Sequence, residues 1–156
     1  MDVSGSNGYS FGITGSSQSL VFKAAANFAA ATLFTMDRSG NFTASADVTA
    51  YSDTRLKKNI QRIQGASEKV VKLNGYTYQR SDTPDDERTH IGLLAQEVLE
   101  VLPEVVHLGE DGVYSVSYGN IVALLIEALK EEVSKRKALE EKVDEYIRCR
   151  QHSPAA

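Results

Sequence analysis

From Tyr118 to Ile147 the chain has no proline and, after Gly119, no glycine, while Leu125, Leu129, Val133, Leu139, Val143 and Ile147 recur at spacings near three and four with one skip. That periodicity fits a long amphipathic helix. Some thirty residues at about 1.5 Å each reach about 45 Å, further than the small domain upstream could cover. The distal half, with Lys135-Arg136-Lys137 and Glu140-Glu141-Lys142, leaves only a narrow apolar stripe. A stripe of that width suits a coiled-coil seam better than a globular core, so the helix, placed at 118–148, is expected to pair with other helices. Residues 149–156 are expected to form a disordered tail.

The chain changes character at about Tyr51. Up to that point it holds five charged side chains, Asp2, Lys23, Asp37, Arg38 and Asp47, and beyond it Lys, Arg, Asp and Glu crowd the sequence. The first part, 1–52, is rich in Gly, Ser, Thr, Asn and Ala, and runs such as Tyr9–Ile13 and Asn41–Val48 alternate with period two, which indicates short β-strands. Its large apolar residues, Phe11, Ile13, Leu20, Val21, Phe22, Phe28, Leu33, Phe34, Met36, Phe42 and Val48, make a thin core. Strands so composed are expected to bury these residues against identical strands of neighbouring chains, as in a fibrous neck or shaft.

The second part, 53–117, reads as a small α+β domain. Ile63, Ala66, Val70, Val71 and Leu73 are near helical spacing and Gly75 follows as a stop. Tyr76-Thr77-Tyr78 is expected as a strand, 81–88 as a loop around Pro84, and His90–Leu94 as a short buried strand. Ala95–Leu102 is expected as a helix ended by Pro103, and Val105-Val106 with Val113–Val116 as a hairpin about Gly109–Gly112.

Composition also narrows function. A formal net charge of −4 offers no general attraction to nucleic acid or anionic lipid. No apolar run approaches the ~20 residues that span a bilayer, and a basic leader followed by an apolar core is not seen, so a soluble, unsecreted chain is expected. Cys149 is the one cysteine, which excludes an intrachain disulfide and fits a reduced cytoplasm. His90, His107, His152 and Cys149 lack close ligand spacing, so no metal and no other cofactor is expected.

Three blocks of sequence point to one family. Ser52-Asp53-Thr54-Arg55-Leu56-Lys57-Lys58-Asn59-Ile60 comes first; His90–Val98 with Pro103-Glu104-Val105-Val106 follows; Val116-Ser117-Tyr118 opens the long helix. In this order they resemble the self-cleaving intramolecular chaperone domain of phage endosialidase-type tailspikes and tail fibres. The resemblance runs from Ser52 to about Ile147, roughly two thirds of the chain, and is more specific than any short motif.

The resemblance implies a homotrimer: a β-rich fibre neck, a small α+β chaperone domain and a trimeric coiled-coil helix. It implies that the chaperone guides folding of the upstream fibre shaft and then releases itself by cutting the Ser52–Asp53 bond. Assembly would take place in the host cytoplasm, and the fibre would end in the virion tail. It further implies a dyad of Ser52 and Lys57, in which the lysine is the base that activates the serine hydroxyl. Spacing alone would not select Lys57, because five residues put two side chains on opposite faces of a strand and Lys58 would share the face of Ser52. A turn between Ser52 and Lys57 is therefore required.

Arg55 and backbone amides are candidates to stabilise a tetrahedral oxygen. Asp53 is expected to orient Lys57 or Arg55, or to cap the turn. Asn59, Gln96, Glu97 and Tyr118 match motif positions and are expected to support the site by packing or hydrogen bonding. Partners other than the chain's own copies and the shaft, including nucleic acid, membrane and small-molecule cofactors, are not expected. Two alternatives stand beside this reading: a non-cleaving trimerisation cap at a fibre tip, and the related self-cleaving module of a membrane-bound transcription regulator.

Overall fold

The computed structural model describes residues 9–13, 19–24, 31–83 and 87–152, and divides the chain into two compact units, Met1–Asn59 and Ile60–Ala156. The division thus falls between Asn59 and Ile60, downstream of the boundary expected at Ser52/Asp53.

In the first unit the alternating segments become four antiparallel strands, β1 (Ser10–Ile13), β2 (Leu20–Lys23), β3 (Thr32–Met36) and β4 (Phe42–Ala44), in the order β1-β2-β3-β4. Period two places Phe11 opposite Phe22 and Phe22 opposite Phe34, with Phe42 opposite Met36. The four rings form a ladder across the sheet, with centroids 5.6, 4.2 and 5.3 Å apart. Each cross-strand pair of this kind contributes about 0.5–1.5 kcal/mol beyond area burial. The β3–β4 turn is closed by Asp37, whose Oδ1 accepts the N–H groups of Ser39 and Asn41 (both 2.9 Å), and by Gly40 at φ 81°. Among the described residues of this unit only Ser19 and Val21 are buried, while Phe11, Ile13, Met36, Phe42 and Val48 are exposed. Phe28 lies outside the described residues.

In the second unit α1 (Ala66–Val71) is shorter than the helix expected over Ile63–Leu73. Gly65 at φ 63° stands at its N-cap in a left-handed conformation, so Ile63 lies outside the helix; Ile63 and Leu73 still pack against the core from the flanking segments. Strands β5 (Tyr76–Tyr78) and β6 (His90–Gly92) pair antiparallel, with Tyr76 opposite Gly92. Helix α2 (Ala95–Val101) stops before Pro103, and a 3₁₀ turn, Pro103–Val105, leads into the hairpin of β7 (Val106–Leu108) and β8 (Tyr114–Val116). Helix α3 then spans Tyr118–His152. It runs past the end expected at residue 148, so 149–152 are helical rather than a disordered tail, and 153–156 lie outside the described residues. Between Gly119 and Pro154 the chain has neither glycine nor proline. The basic residues of the last turns also suit a helix C-terminus: Arg148 Nε donates to the Asp144 carbonyl (3.3 Å) and Arg150 lies over the Tyr146 ring.

The core of this unit gathers Ala66, Val98, Leu102, Val105, Ile121, Leu124 and Ala128. Helix α3 therefore docks through Ile121, Leu124 and Ala128, whereas most of the periodic stripe, Leu125, Leu129, Leu139, Val143 and Ile147, stays exposed. Val133 is half-buried.

One long-range contact binds α1 to α3. A helix leaves its first N–H groups without partners, and Gly65 has no side chain to supply one. The Glu131 carboxylate supplies both acceptors: Oε1 takes the Ala66 N–H (2.9 Å), and Oε2 takes the Ser67 N–H (2.8 Å) and the Ser67 hydroxyl (2.5 Å). The Ser67 hydroxyl, then the N–H groups of Ser67 and Ala66, lower the Glu131 carboxyl from 4.5 to about 2. A depressed carboxyl stabilises the fold fully above its unfolded value and loses that contribution as pH falls through the folded one. Stability should therefore decline as pH drops from 4.5 toward about 2. Glu131→Gln, which turns an NH₂ group toward N–H donors, should lower the melting temperature at neutral pH and flatten this acid dependence, as thermal melts across that range will show.

Candidate active site

The segment after the sheet supplies the turn that the Ser52–Lys57 spacing demands. Asp53 is extended (φ −62°, ψ 133°), and its Oδ1 accepts the N–H of Arg55 at 2.8 Å, capping a 3₁₀ turn at Thr54–Leu56. The Leu56 N–H then reaches the Asp53 carbonyl (3.1 Å) and the Lys57 N–H the Thr54 carbonyl (3.0 Å). With three residues per turn, position 57 comes back toward position 52. Lys57 Nζ donates to Ser52 Oγ at 2.9 Å.

Asp53 holds Arg55 as well as the turn. The guanidinium Nε lies 3.1 Å from each carboxylate oxygen and Nη2 lies 2.7 Å from Oδ2. The Arg55 side chain first, and its backbone N–H second, hold the Asp53 carboxyl below its ordinary range; the same contact raises Arg55. Of the roles open to Asp53, the geometry thus displays a cap and a partner for Arg55. Ser52, Asp53, Arg55 and Lys57 are all exposed in the single chain, and Tyr51 is 97 % exposed. Asn59 closes the segment at φ 53°, a left-handed conformation that Asn tolerates better than most residues.

Gln96, Glu97 and Tyr118 belong to the second unit. The Glu97 carboxylate accepts from the Tyr76 hydroxyl (2.7 Å) and Asn74 Nδ2 (3.2 Å), tying the start of β5 to α2 and raising the Tyr76 phenol. The Tyr118 hydroxyl accepts the Leu93 N–H at 2.9 Å, fixing the corner between β6 and α2. Gly92 makes room for it, since a Cβ there would lie 2.5 Å from the Tyr118 oxygen and 3.3 Å from the Tyr78 ring. Gln96 is exposed and lines a cavity of about 440 Å³ with Tyr78, Tyr114 and Tyr118. His107 Nε2 contacts Ser117 Oγ (2.9 Å), the His90 ring stacks on Tyr78, and Cys149 is exposed. Among the described residues no cluster of three His, Cys, Asp or Glu gathers as a metal site, and no helix is long and apolar enough to cross a membrane.

Residues 52–107, beginning at Ser52 itself and including Lys57, match the family described as chaperone of endosialidase. Over those residues, about a third of the chain, it is similar to that family. Long tail fibre proteins Gp37 are similar over part of the chain: that of Escherichia phage AR1 is 38% identical over 92 residues, 54% of this chain and 8% of the relative. That of Enterobacteria phage K3 is 40% identical over 98 residues, 59% of this chain and 8% of the relative. In Salmonella phage S16 the corresponding values are 30% over 107 residues, 64% and 14%. The chain therefore spans only about a twelfth of the length of the first two relatives, 8% of each. The carboxy-terminal domain of the bacteriophage T5 L-shaped tail fibre, with its intramolecular chaperone domain, aligns with a TM-score of 0.39 and 15% identity, over 81% of this chain and 45% of that one.

The Gly92–Tyr118 contact makes a test of the second unit's corner. Gly92→Ala should cost about 1–3 kcal/mol by displacing the tyrosine, and Tyr118→Phe less. The double variant should cost less than the sum, because the hydroxyl that clashes is gone. Chemical denaturation of the four proteins measures this coupling.

Proposed function

We propose that this chain brings three copies of a tail fibre protein together, guides their shaft strands into register, and then frees its chaperone part by cutting the Ser52–Asp53 bond. Ser52 is the nucleophile and Lys57 the base. The observation that carries this reading is the 2.9 Å contact between Lys57 Nζ and Ser52 Oγ, made across the turn at Thr54–Leu56. The tail fibre relatives favour a fibre setting over that of a transcription regulator.

Attack of Ser52 Oγ on its own carbonyl would close a four-membered ring, so the proposed step is attack on the Ser52 carbonyl of a neighbouring copy. The Oγ proton passes to Lys57 Nζ, an ester forms, and the Asp53 nitrogen leaves with that proton as a free amine; water then hydrolyses the ester. A lysine serves as base only when neutral, a form that burial favours. Exposure of the pair in the single chain therefore fits a site completed by neighbouring copies. The exposed α3 stripe and the open aromatic face of the sheet offer the surfaces for that assembly. The freed chaperone would leave a fibre bound for the virion tail.

Intact mass and denaturing electrophoresis test the chemistry. The wild-type chain should yield fragments ending at Ser52 and starting at Asp53, Ser52→Ala and Lys57→Ala should stay whole yet assemble, and Lys58→Ala should be cut normally. Normal cutting of Lys57→Ala would remove the lysine from its role.

Assembly has its own test. Leu129→Asp places a charge on the exposed stripe, where pairing would bury it, and should block both trimerisation by light scattering and cleavage. In the wild type the cleaved fraction should fall on dilution with the trimer population. Complete cutting in a demonstrably monomeric sample would show that one chain holds the whole site.

A further inference from the structure

The residue on the leaving side of the proposed scissile bond also shapes the site. Ser52 and Lys57 are five residues apart, and a continuous strand would point them to opposite faces. Their contact depends on the turn at Thr54–Leu56, and that turn opens on the bond from the Arg55 N–H to Asp53 Oδ1. Arg55 Nε also lies 3.1 Å from both Asp53 oxygens and Nη2 meets Oδ2, and no contact joins Asp53 to Lys57 among the described hydrogen bonds.

Resting on the self-cleavage reading above, we infer that Asp53 is a positioning residue whose carboxylate oxygen, by accepting the Arg55 N–H, sets the turn that brings Lys57 to Ser52; the ion pair with Arg55 is secondary. The requirement is for a short side-chain acceptor at position 53, not for a negative charge. Asparagine meets it, because its Oδ1 caps as well as that of aspartate, whereas alanine has no acceptor and glutamate sets its oxygens one methylene further out. After the cut Asp53 becomes the first residue of the released fragment, so the bond and the device that positions its attackers are lost to one another in a single event.

The test compares cleavage rates of full-length Asp53→Asn, Asp53→Ala, Asp53→Glu and Arg55→Ala, whose leaving amines are all backbone α-amines. Asp53→Ala and Asp53→Glu should slow cleavage about tenfold, the scale of a lost cap. Asp53→Asn should restore it to within about twofold, and Arg55→Ala should leave it within about threefold. Equal loss in Asp53→Asn and Asp53→Ala would overturn the inference in favour of charge, and a wild-type rate in Asp53→Ala would overturn it outright. A second measurement stands apart from catalysis: in Ser52→Ala, where the bond stays whole, the Arg55 amide should exchange slowly with Asp or Asn at 53 and about tenfold faster with Ala. Equal exchange in all three would sink the cap even if cleavage proceeds. Protected exchange in a chain whose wild type never cuts would leave the cap standing and remove the self-cleavage reading instead.

Discussion

The second unit depends on a carboxylate supplied from far along the chain. Helix α1 has six residues, well below the roughly twelve to fifteen at which isolated helices become even marginal in water. Its N-cap is a glycine in a left-handed conformation, and the N–H groups of Ala66 and Ser67 are met by Glu131 of α3. The same stretch of α3 offers Ile121, Leu124 and Ala128 to the core. Docking and capping are thus one event, since a displacement of α3 that withdrew Glu131 would bare two amides as well as apolar surface. The helix that carries the exposed apolar stripe is also the one that holds the small domain's shortest helix in place.

The first unit poses the opposite problem, a sheet with little to rest on. Three neighbouring aromatic pairs contribute about 0.5–1.5 kcal/mol each, while ordering a single residue's backbone costs about 1–2 kcal/mol. With Val21 the single buried apolar residue among those described, the ladder alone cannot offset the ordering of four strands. Phe11, Ile13 and Phe42 remain exposed apolar surface, which under the proposed assembly identical sheets from other copies would cover.

Local signals in the sequence carried much of the fold. The strand at Tyr76–Tyr78, the stop at Pro103 and the hairpin that turns at Gly112 all follow from short-range rules that operate within a few residues. Gly65 cut short the helix expected from Ile63, because periodicity counts apolar positions and is blind to a left-handed backbone between them. The role of Glu131 was not legible at all: its partners lie 64 and 65 residues upstream, and among the charges of α3 nothing sets it apart. Periodicity also singled out the α3 stripe without saying that the helix has a second apolar face, and it is that second face, at Ile121, Leu124 and Ala128, that enters the core. At the site, Lys57 and Lys58 could be told apart only through family resemblance; once Lys57 was paired with Ser52 the spacing of five called for a turn, and coordinates were needed to choose among the roles open to Asp53.

Under the proposed chemistry the two members of the dyad lie on opposite sides of the bond that is cut. Ser52 remains with the shaft and Lys57 departs with the chaperone, so the site destroys itself in acting once, and no second substrate need be excluded. This arrangement also bears on when the cut can be useful. A strand set with a thin core gains most from guidance before its chains are in register, since aligning separate chains carries the entropic cost that precedes the reward of long-range pairing. Under that proposal, once neighbouring sheets had covered the aromatic face the chaperone would contribute little to the assembled shaft. Its removal would delete the easy route back, and stability would then become a matter of an unfolding barrier. A site that is exposed in one chain and covered by assembly would place chemistry after alignment without any separate signal.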